Sequence, residues 1–362
     1  MYKVCHFTSA HDWNDDRIYL KECYSLAQNG YEVYLVAEGT DKQINGINVV
    51  GCGNKPEGRK ARFWDFAKKI YRKALELDCD IYHFHDPELL PYGIKLKNAG
   101  KKVIFDSHED VPAQIMSKYW IPASLRWGVS KLYKAYESYA VAKFDAVITA
   151  TPAIAKKFEG RAKKVVVINN YPRLDDIVFQ TKPFEERPAA VCYAGGLDAI
   201  RGGKVMVEAL ADLQDVELVL AGSCDEEIKN IISGGANIRY LGKVDRKGIN
   251  DMYRDSIAGL VLLKPLERYK ESKPVKMYEY MAAGLPFICS DFPLWRELVN
   301  ETSAGICVPW NKLKDIREAI DKLISDRKVA KEMGRRGRRY VEEKYSWNIE
   351  SRALLYAYED IL

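Results

Sequence analysis

At 362 residues the chain has room for two domains, and its balance of 47% apolar to 30% charged residues is that of a folded, water-exposed protein. No apolar run reaches the ~18 residues of a membrane-crossing helix, and eight scattered cysteines without a Cys-x-x-Cys pair point to buried, reduced thiols rather than a disulfide framework or a zinc site. The net charge of +5 lies wholly in the first half, where residues 1–180 hold 27 Lys and Arg against 22 Asp and Glu, while the remainder holds 29 of each; an anionic partner is expected there.

The opening MYKVCHFTSAHDW lacks the long apolar stretch of a signal peptide and reads as a first buried strand. A cytoplasmic location, possible also at the inner face of a membrane, is therefore expected. Short apolar runs follow at 3–8, 32–37, 47–51, 81–85, 102–106, 146–149 and 165–168, separated by stretches of helical spacing such as 17–28. The rhythm repeats at 190–194, 217–221, 238–241, 258–263, 286–289 and 305–308, with a helical stretch at 313–325. Gly30, Gly100 and Gly284 stand where helices end. Alternating strand and helix predicts α/β architecture with parallel sheets. Two such sets predict two doubly wound, Rossmann-like domains, 1–180 and 188–345, facing a cleft. The polar, proline-bearing stretch 172–188 marks the break. Residues 346–362 read as a final helix anchored by Trp347, Leu354, Leu355 and Tyr358 and packing back on the first domain.

Candidate chemistry gathers at strand ends, where open parallel sheets bind ligands. In the first domain the loop SAHDWNDDRIYLKE places Asp16 and Arg17 at a helix start, HFHDPELLP places His85, Asp86 and Glu88 after a strand, and VIFDSHEDVP ends in His108. Asp16, Arg17, His85, Asp86 and Glu88 fit an acceptor-binding side, or cap helices, and His108 fits a hydrogen-bonding imidazole or a turn former. Asp78 and Asp80 mimic a metal-binding Asp-x-Asp, but one lies in a turn and the other opens a strand, so no metal is expected there. The segment NKPEGRKARFWDFAKKIYRKALE carries Arg59, Lys60, Arg62, Lys68 and Lys69 with Trp64 among them. It reads as a basic amphipathic helix for an anionic membrane surface, or as a solvated helix with Trp64 in the core. SKYWIPASLRWGVSKLYKAYESY has a similar mix. No nucleic-acid-binding module accompanies the charge, so nucleic acid is not an expected partner.

In the second domain, CYAGGLDAIRGG follows the first strand. Gly195 and Gly196 allow close backbone approach to a ligand, and Arg201 follows one short loop later; a tight turn with a solvated arginine also fits. The stretch ESKPVKMYEYMAAGLP holds two glutamates, Glu271 and Glu279, with Lys276 between them and Pro274 at the expected first turn of a helix. Free N–H groups at 275–277 and the helix dipole make an anion site there. Lys276 and Glu279 share a face, and Met277, Tyr280 and Met281 face a core. Carboxylates suit vicinal diols. One phosphate-binding helix end between two diol-binding acids fits a sugar nucleotide, although a surface helix with a Lys–Glu pair is the plain alternative.

This Glu-x7-Glu stretch, followed by YMAAGLPFICSD, resembles the signature of retaining glycosyltransferases of family 4, which have the GT-B fold. The resemblance covers most of the chain. It implies that Glu279 binds the nucleotide ribose, Glu271 the transferred sugar and Lys276 the diphosphate. The family usually has a basic pair in the glycine loop; here Leu197 takes one place, so Arg201 and Lys276 must share the diphosphate. Lys243 and Val244 would border the nucleobase and His108 the transferred sugar. The glycine pair that many members carry in the first loop is absent. The expected activity is metal-independent, retaining transfer of a sugar from a nucleoside diphosphate sugar to a glycan or lipid-linked hydroxyl, in surface polysaccharide synthesis, with no cofactor. A sugar-nucleotide epimerase or hydrolase, and a non-catalytic sugar-nucleotide binder at a membrane surface, are the alternatives. A nicotinamide enzyme lacks its Gly-x-Gly-x-x-Gly after the first strand.

Overall fold

The computed structural model describes residues 1–58, 61–118, 120–179, 182–211, 213, 215–235 and 237–362. The chain divides into two compact units, one formed by Met1–Asn170 with Ile349–Leu362, the other by Tyr171–Asn348. The division at 170/171 precedes the polar stretch 172–188 at which the sequence placed it, so 171–179 belong to the second unit. Tyr171 explains this, because its ring packs against Tyr278 and Tyr345 of that unit, 4.7 and 5.3 Å between centroids.

The first unit is built on β1 (Lys3–Asp12), β2 (Glu32–Glu38), β3 (Lys42–Ile44), β4 (Ile47–Gly51), β5 (Ile81–Phe84), β6 (Lys102–Ser107), β7 (Ala146–Thr149) and β8 (Val165–Val167). Their order in the sheet is β3-β4-β2-β1-β5-β6-β7-β8. Every pair is parallel except β3 with β4. The helices are α1 (Tyr24–Gln28), α2 (Ala67–Glu76), α3 (Leu90–Asn98), α4 (Val111–Ser117), α5 (Ala123–Val141) and α6 (Pro152–Phe158). Strands such as β5 and β7 are buried along their whole length, as a sheet covered on both faces requires. Phe7, Tyr82, Phe84, Phe105 and Phe144 fill one side of it. Two features depart from the sequence reading. The edge strand β3 was missed, although Asn45 and Gly46, with φ of 53° and 78°, make the Asn-Gly hairpin turn into β4. The helix expected over 17–28 begins as a π-helical stretch, Ile18–Cys23, which runs into α1 and carries Lys21 and Glu22 to its buried side.

The second unit has β9 (Ala190–Ala194), β10 (Glu217–Ala221), β11 (Ile238–Tyr240), β12 (Ala258–Val261), β13 (Phe287–Ser290) and β14 (Gly305–Val308), all parallel, in the order β11-β10-β9-β12-β13-β14. Its helices are α7 (Gly203–Leu210), α8 (Glu226–Ile232), α9 (Arg246–Arg254), α10 (Glu267–Lys270), α11 (Val275–Ala282), α12 (Pro293–Thr302), α13 (Leu313–Ser325) and α14 (Arg327–Glu343). Taken in chain order the strands read 3-2-1-4-5-6, the doubly wound arrangement whose direction reverses between β9 and β12. Separate apolar cores lie on the two faces. The last helix, α15 (Trp347–Glu359), buries Leu354 and Tyr358 in the first unit.

Candidate functional site

The loops after β9 and β12 leave the second sheet at its reversal point, the place where such sheets bind ligands. The first of them is shaped by glycine. A Cβ on Gly222 would fall 1.9 Å from the Gly195 carbonyl oxygen, and one on Gly196 would fall 2.6 Å from Arg201 Nη1. Asp198 organises the turn by accepting from the Arg201 backbone N–H at 2.7 Å and from its Nη1 at 2.9 Å. The Arg201 guanidinium is thus aimed but remains half exposed. This loop touches the one after β12: Lys264 N–H donates to the Ile200 carbonyl at 2.9 Å, and Gly202, with φ of 75°, leaves no room for a Cβ against Leu262 O.

From β12 the chain passes through α10 and exposed Glu271 to α11. Glu271 makes no hydrogen bond or ion pair among the described residues. Trp295 Nε1 donates to the Ser272 carbonyl at 2.8 Å and pins the loop. Pro274 is the N-cap rather than the first helical residue. Met277 N–H turns back to the Pro274 carbonyl at 3.1 Å, so two of the three expected free donors, at 275 and 276, remain. Met277, Tyr280 and Met281 are buried, with the Tyr280 ring seated where a Cβ on Gly259 would be.

Glu279 is the electrostatic centre of this site. It is buried, and its carboxylate accepts from Lys276 Nζ at 2.7 Å, Arg246 Nη1 at 3.0 Å and the Tyr253 hydroxyl at 3.2 Å. Burial opposes its charge, but Lys276 and Arg246 outweigh burial and hold its pKa down at about 2. Arg246 and Tyr253 were not among the residues the sequence singled out. A signal was available for the first: Arg246 opens α9, where the helix dipole disfavours a cation, so its charge called for an anion nearby. Exposed Lys243 and half-buried Val244 lie after β11, at a turn where Gly242 accepts from Gly222 N–H at 2.7 Å.

The first unit sorts its polar strand-end residues differently. Asp86 does not face outward: it is buried and accepts from Ser9 N–H at 2.6 Å, Thr8 Oγ1 at 2.7 Å and Ala10 N–H at 3.2 Å. Burial would raise its pKa, yet His11 and these donors hold it well below the usual carboxylate range. The His85 side chain is also buried. Arg17 is turned inward, with Nε and Nη2 on the two oxygens of Asp106 at 3.0 and 3.2 Å and Nη1 on the Ile168 carbonyl at 2.7 Å. These three residues, expected on an acceptor face, therefore hold the inside of the unit. The cause is buried Asp106 on β6, which draws the cation in. Asp16 stays at the surface, with its carboxylate on Lys21 Nζ at 2.6 Å. His108 is mostly buried, with 18% of its side chain exposed, 3.4 Å from Asp106 and stacked on His85. Burial outweighs the pull of Asp106 and lowers its pKa to about 3, so the imidazole is neutral. Asp78 pairs with Lys101 and Asp80 accepts from Lys3 N–H.

Of the basic stretch, Arg59 and Lys60 lie outside the described residues. Arg62 is turned against buried Glu88 at 3.2 Å, so its charge is paired rather than offered to a surface. Trp64 is 74% exposed, and Lys68 and Lys69 are exposed beside it; the tryptophan is not a core residue. On α5, Trp127, Leu132 and Tyr139 are exposed, with Lys131 Nζ 4.0 Å from the Trp127 ring centre. No helix among the described residues is long and apolar enough to cross a membrane.

Residues 175–340 match the family model described as Glycosyl transferases group 1, and residues 21–171 match the one described as Glycosyltransferase Family 4. The chain consists of two glycosyltransferase-family domains. It is 27% identical over 311 residues to a phosphatidyl-myo-inositol mannosyltransferase of Mycobacterium leprae, covering 81% of this chain and 76% of that one. Sucrose-phosphate synthase from Thermosynechococcus elongatus superposes with a TM-score of 0.79 at 17% identity, over 100% of this chain and 99% of the other. Anabaena HepE, solved with UDP and glucose, gives 0.72 at 14% identity over 99% and 100%. The fold class is GT-B, with each unit a Rossmann-like α/β domain.

Proposed function

We propose that this glycosyltransferase moves a sugar from a nucleoside diphosphate sugar to a hydroxyl of a glycan or lipid-linked acceptor, with retention at the anomeric carbon and without a metal in the transfer step. The carrying observation is the pair of cations Lys276 and Arg246 on buried Glu279, together with Arg201, aimed by Asp198 in the glycine loop at the reversal point of the second sheet. Arg201, Lys276 and the start of α11 hold the diphosphate. Glu279 binds the ribose, Lys243 and Val244 border the base, and Glu271 takes the transferred sugar; it is exposed and makes no ion pair among the described residues, so it is available to do so. Binding of UDP by HepE supports a nucleotide-sugar donor.

In the transfer the bond from the anomeric carbon to the diphosphate oxygen loosens and the acceptor hydroxyl bonds to the same face. The hydroxyl proton passes to the departing phosphate. The protein stabilises charge building on that phosphate and orients the reactants. We assign neutral His108 to the transferred sugar on the family resemblance. Exposed Trp64, Lys68 and Lys69, with the aromatic and basic face of α5, support peripheral attachment to an anionic membrane face, as a cytoplasmic enzyme of surface polysaccharide synthesis needs.

Nucleoside diphosphate sugars are screened for thermal stabilisation, and the one that binds is assayed with and without acceptor. Stabilisation lost in Lys276→Ala and Arg201→Ala, with sugar transferred only when acceptor is present, supports the reading. Turnover of donor without acceptor would favour a hydrolase or epimerase, and binding without turnover a non-catalytic binder.

A further inference from the structure

The first unit contains a sealed polar cluster that sugar transfer does not use. His6 on β1 and His83 on β5 are register partners on neighbouring strands, and His85 follows two residues beyond His83. Glu22 reaches the same place from the π-helical stretch. All four side chains are fully buried. His6 Nδ1 lies 3.0 Å from His85 Nε2, and Glu22 Oε2 lies 3.8 and 3.9 Å from these two nitrogens. A point equidistant from the three atoms is about 2.1 Å from each, the distance at which zinc binds imidazole nitrogen and carboxylate oxygen. His83 supplies a fourth donor, and the ligating atoms of all four residues lie within 4.8 Å of one another.

We propose that His6, His83, His85 and Glu22 form a structural site for a divalent first-row transition metal, with zinc the natural occupant. The surroundings support this independently of the cluster itself. The Tyr358 hydroxyl lies 3.0 Å from His6 Nε2 and 2.7 Å from His83 Nδ1, and Asp106 Oδ2 lies 3.4 Å from His85 Nδ1. His6 thus has Nε2 held by Tyr358, and His83 has Nδ1 held by Tyr358 with Nε2 unpartnered, while His85 Nδ1 lies beside Asp106 without a hydrogen bond; outer contacts of this kind orient metal-binding histidines, and a metal would replace the present hydrogen bond between His6 Nδ1 and His85 Nε2. Glu22 Oε2 and His83 Nε2 are buried without a hydrogen-bond partner among the described residues. Such orphaned groups are costly, and one central cation satisfies both. Arg17 Nε, 3.0 Å from Glu22 Oε1, leaves Oε2 directed at the histidines. Four protein ligands close the coordination sphere, so the site ties β1, β5 and, through Tyr358, the last helix together rather than activating a substrate. The competing arrangement is a metal-free cluster with a protonated Glu22.

Protein purified without a metal-affinity tag is dialysed and its metal content measured. About one zinc per chain is expected, as for a closed four-ligand site. After chelation, added zinc raises the melting temperature, and cobalt(II) gives the visible absorption of a four-coordinate nitrogen–oxygen site. His83→Gln and Glu22→Gln lose the metal, and His11→Gln, outside the cluster, keeps it. Tyr358→Phe still binds but about 10–100-fold more weakly, the effect of removing an outer partner; it decides the matter if the ligand variants do not fold. Folded wild-type protein with no metal as purified, no cobalt absorption and no shift on added zinc would overturn the proposal. None of these readouts depends on sugar transfer.

Discussion

The two units share a doubly wound parallel sheet but treat the charge at its carboxyl end in opposite ways. In the second, Arg246 and Lys276, 39% and 33% exposed in their side chains, hold a buried carboxylate, and Arg201, 47% exposed, pairs with Asp198. In the first, Arg17, Glu22, Asp106 and three histidines are sealed from solvent. Exposed cations keep their hydration and can exchange it for a ligand's phosphates. Sealed groups must satisfy one another or an ion, because water cannot reach them. A shared topology thus leaves cations at the surface in one case and seals an internal charge cluster in the other.

The sharpest break of this contrast is Arg17→Ala. It leaves Asp106 and Glu22 buried without their cation, a loss of about 3–5 kcal/mol for a broken buried pair. Denaturant unfolding followed separately in the two units, by hydrogen exchange, should show the first unit opening early and the second unchanged. Equal effects on both would show that the cluster's effect is not local.

Lys276→Ala and Arg201→Ala should each lower the transfer rate about 100-fold or more, near 2.7 kcal/mol, the scale for removing one preorganised charge donor. Circular dichroism should stay unchanged, since both cations are surface groups. A rate within a factor of about 3 of wild type would remove them from the reaction.

Glu279 supplies a pH test of comparable size. Its folded pKa of about 2 lies below the unfolded carboxylate value near 4.5. The stability it contributes is therefore complete above pH ~4.5 and disappears as pH falls toward 2, amounting to at most about 3 kcal/mol. Acid titration of wild type should show this loss in the second unit, and Glu279→Gln should lack it. An identical acid profile in the two proteins would contradict the ion-pair geometry.

The smallest effect concerns the outer surface of the first unit. Replacing Lys68 and Lys69 by Glu should weaken sedimentation with anionic liposomes by about 1 kcal/mol for each cation removed, and more for reversal. Fold and donor binding should be untouched. Unchanged sedimentation would confine the membrane role to α5 or exclude it.

Much of this was legible in the chain because it is local. Strand runs at 146–149 and 190–194 lie where the structure has strands, since burial on both faces leaves an uninterrupted apolar signal. The Lys276–Glu279 pair follows from helical spacing alone, because residues three apart share a face. Spacing could not show that Arg246 completes the clasp from 33 residues away. It gave equally little hint that Arg17 would turn to Asp106, 89 residues on, instead of outward. Sequence signals for metal, such as cysteine pairs or the Asp78 and Asp80 spacing, need ligands that lie close along the chain. His6, His83 and Tyr358 converge only because β1 and β5 are sheet neighbours and the last helix returns to the first unit. Sequence determines which groups are present and which neighbours share a face within about one helical turn. Whether a charge meets water or a buried counter-charge is decided by packing between distant segments, because desolvation is a property of the assembled interior.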